Sequence, residues 1–192
     1  MPNLNPAPGM LVIENAFSDT TEFLDCIIEA AEFEYSPTAW RRSATGEGSL
    51  SDHRSSVESD ITQIRCSRES EFGPLATICQ SFAHDLDLLI NEFKAVYDLG
   101  LCHDEGLRCI RYQNKAEYRI HHDHAELNAR ALSMVLFLND DFEGGQLEFP
   151  YFDVTIKPET GKMALFPSNF PYAHIAHPVE EGTKYTLVTW FR

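Results

Sequence analysis

Apolar positions follow two different periods along this chain, and the change falls near residue 100. Phe23, Cys26, Ile27, Ala30 and Phe33 recur at the three-to-four spacing of one helix face, behind the cap candidates Ser18-Asp19-Thr20 and the acidic Glu22. They predict a helix to about Glu34, preceded by a short edge strand at Met10-Leu11-Val12-Ile13. A second, longer stripe runs through Leu75, Ile78, Cys79, Phe82, Leu86, Leu89, Ile90, Phe93 and Val96. It starts at Gly73-Pro74, where proline suits the first helical turn, and ends near Leu99-Gly100. Residues 36–73 between the helices have no sustained period, so they read as a solvated excursion or as a lid over a site.

After residue 100 the pattern becomes short runs separated by turn residues. Strands are predicted at 107–113, 117–123, 131–138, 146–149, 152–157, 162–166, 172–177 and 184–191. Asn139-Asp140-Asp141, Gly144-Gly145, Pro158-Glu159-Thr160-Gly161 and Glu180-Glu181-Gly182 supply the turns. About eight strands at this spacing predict a mainly β fold with flanking helices. The expected architecture is a double-stranded β-helix, or jelly roll, over 107–192, supported by a strand and helices in 10–100. Residues 1–192 then form one domain.

The chemistry concentrates in Tyr118-Arg119-Ile120-His121-His122-Asp123-His124. Residues two apart on a strand share a face, so His121 and Asp123 point one way, and His122 and His124 the other. Only the first pair combines an imidazole with a carboxylate. With a second histidine it makes a three-cornered metal site that leaves other coordination positions open, the arrangement of non-heme Fe(II) oxygenases. The second histidine is His174 or His177. These differ by three, so only one faces inward, and geometry alone does not choose between them.

A formal net charge of −15 argues against a nucleic-acid partner, which needs a basic footprint. No apolar run is long enough to cross a bilayer, and the first ten residues lack a signal-peptide pattern. Cys26, Cys66, Cys79, Cys102 and Cys109 are odd in number and without Cys-x-x-Cys spacing, which fits a reducing, cytoplasmic location.

Several motifs occur together and in order: Tyr112, Tyr118, His121-x-Asp123, Phe137-Leu138-Asn139 with Glu143-Gly144-Gly145, Pro158-x-x-Gly161 and Phe166-Pro167-Ser168. They continue into His174-x-x-x-Pro178-Val179-x-x-Gly182-x-Lys184. The set resembles the Fe(II)/2-oxoglutarate-dependent dioxygenases of the prolyl-4-hydroxylase-like branch. The likeness runs from about 107 to 192 and is weaker over the N-terminal strand and helix and Arg54-Ser55-Ser56. It implies Fe(II), 2-oxoglutarate and O₂, with ascorbate as a further expectation. It selects His174 as the third ligand and gives Lys184, ten residues on, the distal carboxylate of 2-oxoglutarate. Tyr112 is implied as a co-substrate contact, and Arg130 and Trp190 as substrate contacts. Parity then places Thr186 and Trp190 on the face of Lys184.

The resemblance implies hydroxylation of a prolyl residue in a peptide or protein, with succinate and CO₂ as co-products. A free amino acid or another small molecule is the second substrate class. Asp123 favours hydroxylation over halogenation, which would need Ala or Gly there. A catalytically silent metal-binding jelly-roll module is the rival reading, and it has no need of Lys184.

Overall fold

The computed structural model describes residues 3–32, 36–44, 50, 52–67, 72–101, 103–125 and 129–192. Two short strands open the chain, β1 (Asn3–Leu4) and β2 (Leu11–Ile13), followed by helix α1 (Thr20–Ala31). Strands β3 (Arg41–Arg42) and β4 (Val57–Asp60), a 3₁₀ turn (Ile64–Cys66) and helix α2 (Pro74–Tyr97) come next. The remaining strands are β5 (Arg108–Gln113), β6 (Tyr118–His121), β7 (Leu132–Phe137), β8 (Glu143–Gly144) and β9 (Leu147–Phe149). They continue with β10 (Val154–Ile156), β11 (Met163–Pro167), β12 (His174–Ala176), β13 (Val179–Glu181) and β14 (Thr183–Phe191).

The strands form an eight-stranded sheet in the order β1-β2-β11-β7-β14-β5-β4-β3, a four-stranded sheet in the order β10-β9-β12-β6, and the pair β13-β8. This is the expected jelly roll, with both helices on the outer face of the larger sheet. Phe17, Phe23 and Phe82 meet there edge-on or tilted, with ring centroids 5.1–5.9 Å apart, above the outward residues Leu136, Leu165 and Leu187. Fully burying each such side chain contributes about 1.5–3 kcal/mol. Alternation along β14 does the sorting: Leu187 and Phe191 enter this helix-side core, while Lys184, Thr186, Val188 and Trp190 face the space between the sheets.

Four expectations change. Residues 36–73 are not one irregular excursion: β3 and β4 extend the large sheet past β5, with Val57 opposite Arg111 and Asp60 opposite Arg108. Their polar sequence hides this because the pairing comes from β5 and not from an apolar pattern of their own. The Met10–Ile13 strand is not the sheet edge, since β1 covers it. Helix α1 ends at Ala31, with the Glu32 amide donating to the Ile28 carbonyl, while Phe33 and Glu34 lie outside the described residues. Helix α2 keeps Leu75, Cys79, Phe82, Leu86, Ile90 and Phe93 buried, but Val96 is 74% exposed because the last turn projects beyond the sheet. Its chain then leaves through Asp98 in the left-handed region (φ 50°).

The β8–β13 pair, in which Val179 lies opposite Gly144, depends on that glycine. That residue has φ +80°, and a Cβ would stand 2.3 Å from the Pro178 carbonyl oxygen, a backbone atom that cannot swing aside. Gly144→Ala is expected to destabilise the protein by about 1–3 kcal/mol. A urea melt with a lowered midpoint and an unchanged slope would show this.

Candidate metal centre and its cavity

β6 and β12 pair antiparallel with His121 opposite His174, which brings both rings to one inward-facing spot. The expected strand 117–123 stops at His121. Asp123 stays beside His121 because its amide and that of His124 both donate to the Ser168 carbonyl, at 3.0 and 2.9 Å. His121 Nε2 is 3.7 Å from Asp123 Oδ1, and His174 Nε2 is 3.8 Å from Oδ2. The three donor atoms lie within 4.8 Å of one another, close enough to share one ion.

Tautomers and charge suit that use. His121 Nδ1 is 2.8 Å from the Arg119 carbonyl and His174 Nδ1 is 3.1 Å from the Tyr172 carbonyl. A carbonyl only accepts, so both Nδ1 atoms carry a proton, which leaves the two Nε2 atoms as the ones available to a metal. Burial, with the neighbouring His174 ring, holds His121 well below the ordinary imidazole value, so its ring is neutral. Burial alone would raise the Asp123 carboxyl. The His174 and His121 rings, the Ser133 hydroxyl and the Trp190 side chain outweigh it and hold the group ionised. Two imidazoles and one carboxylate leaving open positions is the donor set that suits a non-heme Fe(II) ion.

Outer contacts fix these ligands. Ser133 Oγ donates to Asp123 Oδ2 at 2.7 Å and lies 2.8 Å from Ser168 Oγ. The Tyr118 ring stacks on His121 with centroids 3.4 Å apart and planes 13° apart. Arg54 sits over Tyr118 at 4.9 Å, itself held by Ser56, the Ala44 carbonyl and Glu58.

The larger sheet supplies the opposite wall of a 390 Å³ cavity. Lys184 lies across from Tyr112, Thr186 across from Ile110 and Phe137, and Trp190 across from Ser133. Lys184 is only 2% exposed. Its Nζ donates to the Gly145 carbonyl at 2.5 Å, over the rings of Tyr112 (4.9 Å) and Phe137 (5.5 Å). No carboxylate pairs with it among the described residues, and burial pulls its ammonium down to about 7. A buried cation without an anion is costly, so the pocket fits the far carboxylate of a dicarboxylate that chelates a metal with its other end. The Tyr112 phenol, buried and hydrogen-bonded to Ser56, lies at the same end.

All eight residues singled out in the sequence line this one cavity: His121, Asp123, His174, Tyr112, Lys184, Thr186, Arg130 and Trp190. His177 faces away, its Nε2 2.5 Å from Glu148, as its odd spacing from His174 requires. His124 Nδ1 donates to the Arg130 carbonyl, and His122 is exposed at the rim. Sequence reasoning did not find the roles of Ser133, Glu105 or Arg54. Ser133 left one signal, a lone polar residue in an otherwise apolar strand.

The sequence profile of the 2OG-Fe(II) oxygenase superfamily matches residues 107–192, which carry all three candidate ligands. A PKHD-type hydroxylase of Crocosphaera subtropica is 34% identical over 97 residues, 46% of this chain and 43% of that protein. A putative prolyl 4-hydroxylase of Acanthamoeba polyphaga mimivirus is 31% identical over 108 residues, 46% of this chain and 45% of that one. The chain thus spans under half the length of these curated relatives. Among solved structures, a Trichoplax adhaerens prolyl hydroxylase in complex with a hypoxia inducible factor peptide fragment superposes with a TM-score of 0.75 at 18% identity. The match covers 95% of this chain and 83% of that one. A Pseudomonas putida prolyl-4-hydroxylase gives 0.72 at 23% identity, covering 96% and 92%. At these identities the structures establish the shared fold. The chain is thus similar, over the region that carries its ordered motifs and His-Asp-His centre, to the 2OG-Fe(II) oxygenase superfamily and to its prolyl-4-hydroxylase-like members.

Proposed function

We propose that this protein is an Fe(II)- and 2-oxoglutarate-dependent hydroxylase whose substrate is a prolyl residue of a peptide or protein. The observation that carries the reading is one cavity holding a His-Asp-His centre at one point and a buried, anion-free lysine at another. A silent metal module has no use for such a lysine. Bound Fe(II) and 2-oxoglutarate supply the oxidising chemistry, in which O₂ is consumed, succinate and CO₂ are released, and a C–H bond becomes C–OH.

The chain's own residues bind and orient. His121, Asp123 and His174 would hold the metal, and three protein donors would leave it room for co-substrate and O₂. Lys184 neutralises the distal carboxylate, while Tyr112 and Thr186 line the slot beside it. Phe137, Leu147 and Val188 complete an apolar lining that keeps water from the reacting carbon. Arg130 and Trp190, which line the same cavity, are the substrate contacts in this reading. The prolyl class is supported by relatives that carry prolyl hydroxylase names. Ascorbate as a reductant and a cytoplasmic location belong to the same reading. The location is supported by free thiols at Cys26, Cys66, Cys79 and Cys109 (Cys102 lies outside the described residues). No helix among the described residues is long and apolar enough to cross a membrane.

The test is succinate release by the Fe(II)-loaded protein with 2-oxoglutarate, in air, over a panel of prolyl peptides. A substrate-dependent rise in succinate with one oxygen atom added to the peptide is expected. No succinate above the peptide-free level across the panel would overturn the reading.

A further inference from the structure

Acidic residues outnumber basic ones two to one along this chain, 30 to 15, yet the cavity reverses that balance. Arg54, Arg108, Arg130, Lys184 and Arg192 line it, against Glu58, Glu105 and Asp123. A third of the cations thus gather where only a tenth of the acids do. Some of this is already assigned: Asp123 belongs to the metal centre, Lys184 to the co-substrate, and Arg54 pairs with Glu58 at 3.3 Å. Three arginines and one glutamate remain, all near Trp190.

Their contacts leave positive charge over. Arg130 clasps Glu105 through Nε (3.0 Å to both oxygens) and Nη2 (2.6 Å), and Arg192 Nε adds a bond at 2.8 Å. The two guanidiniums hold the Glu105 carboxyl below its usual range although burial pushes the other way, so it stays ionised and the trio carries a net positive charge. Arg130 Nη1 bonds nothing among the described residues. The Arg130 guanidinium lies 3.8 Å over the Trp190 ring, and that of Arg108 lies 5.7 Å from the same ring. Among the described residues, the ion pair that Arg108 makes is with the half-exposed Asp60, at 3.9 Å.

This cationic site is separate from the one at Lys184. Lys184 and Trp190 are six residues apart on one strand, about 20 Å between their backbones at the rise of an extended chain, a span that their side chains shorten by reaching into the cavity between them. The Trp190 side chain contacts Asp123, so the metal centre lies next to the arginine end. One dicarboxylate reaching from the metal to Lys184 cannot also occupy the arginines.

We propose that the end of the cavity formed by Arg108 and Arg130 over Trp190 binds a carboxylate of the substrate, next to the carbon that is hydroxylated. Guanidinium groups suit this because their planar fork pairs two N–H bonds with two carboxylate oxygens, and Trp190 fixes the plane of the fork. The inference rests on the hydroxylase reading and narrows it to anionic substrates. These are a peptide with Asp or Glu beside the target residue, or a free carboxylate such as an amino acid.

The test is anaerobic calorimetric titration of the Fe(II)–2-oxoglutarate protein, paired with succinate assays in air. Prolyl peptides differing only in Asp, Asn or Lys beside the proline form one arm, and L-proline against L-prolinamide the other. The carboxylate member of either arm is expected to bind at least about tenfold more tightly, with the advantage shrinking in high salt. Arg108→Gln should erase most of that advantage, and Arg108→Lys should restore part of it, which separates charge recognition from a folding defect. A preference confined to the peptide arm assigns a protein substrate, and one confined to the proline arm a free amino acid. Equal binding across both arms, or a preference for Lys, overturns the proposal even if succinate is formed. Carboxylate-selective binding without succinate would uphold the site and overturn the hydroxylase reading.

Discussion

His174→Ala is expected to lower Fe(II) affinity by well over 100-fold and to remove succinate formation. The proposed ligand set is three side chains, so losing one would leave a His-Asp pair with too few donors to hold a labile divalent ion. Ser133→Ala is the informative companion. It leaves all three donors but removes the hydroxyl that fixes Asp123 Oδ2 at 2.7 Å. Outer partners of this kind typically contribute 10- to 100-fold in metal affinity or activity, so an intermediate loss of about that size is expected. Competition with a chromophoric Fe(II) chelator ranks wild type, Ser133→Ala and His174→Ala in that order. Equal affinity in wild type and His174→Ala would place the metal elsewhere. His174 also packs against Phe149 and Phe166, at 5.6 and 4.8 Å between ring centroids, so a circular dichroism melt of the variant separates loss of the ligand from loss of the fold.

What was readable in the sequence divides by range of interaction. Strand parity is local, so the shared facing of His121 with Asp123, and of Lys184 with Thr186 and Trp190, was available without coordinates. The eight predicted strands from residue 107 onward match β5, β6, β7, β9, β10, β11, β12 and β14 to within a few residues. The two-residue β8 and three-residue β13 carry no period of their own and read as turns. β3 and β4 escaped for a related reason: their place in the sheet comes from pairing with β5 and not from an apolar period, and the polar Glu58 of β4 lines the cavity. The choice of His174 over His177 came from resemblance, and the structure supplies its physical basis, since only His174 shares a face with His121. Glu105 was beyond reach. It lies in a short connection, and its partners Arg130 and Arg192 are 25 and 87 residues away.

Lys184→Met tests the other end of the cavity, with opposite effects on binding and stability. Removing the ammonium is expected to weaken 2-oxoglutarate binding by about 2–4 kcal/mol, roughly 30- to 1,000-fold. The same change should stabilise the protein free of 2-oxoglutarate by about 1–4 kcal/mol, because an uncompensated buried charge is replaced by an apolar chain of similar volume. The pH dependence fixes the cause. In the free protein burial holds the Lys184 ammonium at about 7, against 10.5 for an ordinary lysine. Between these values the unfolded chain binds the extra proton, so this residue makes stability rise with pH. Its cost is therefore full below pH 7 and disappears toward 10.5, and the stability gap between wild type and Lys184→Met should narrow over that window. Binding a dicarboxylate raises the lysine again. Complex formation at pH 8 should then take up a proton, and affinity should fall by at most about tenfold per pH unit above 7. Calorimetry in buffers of different ionisation enthalpy measures that uptake. Uptake in wild type and none in Lys184→Met is the expected pair of results; equal uptake in both would assign the proton to another group and remove Lys184 from the co-substrate site.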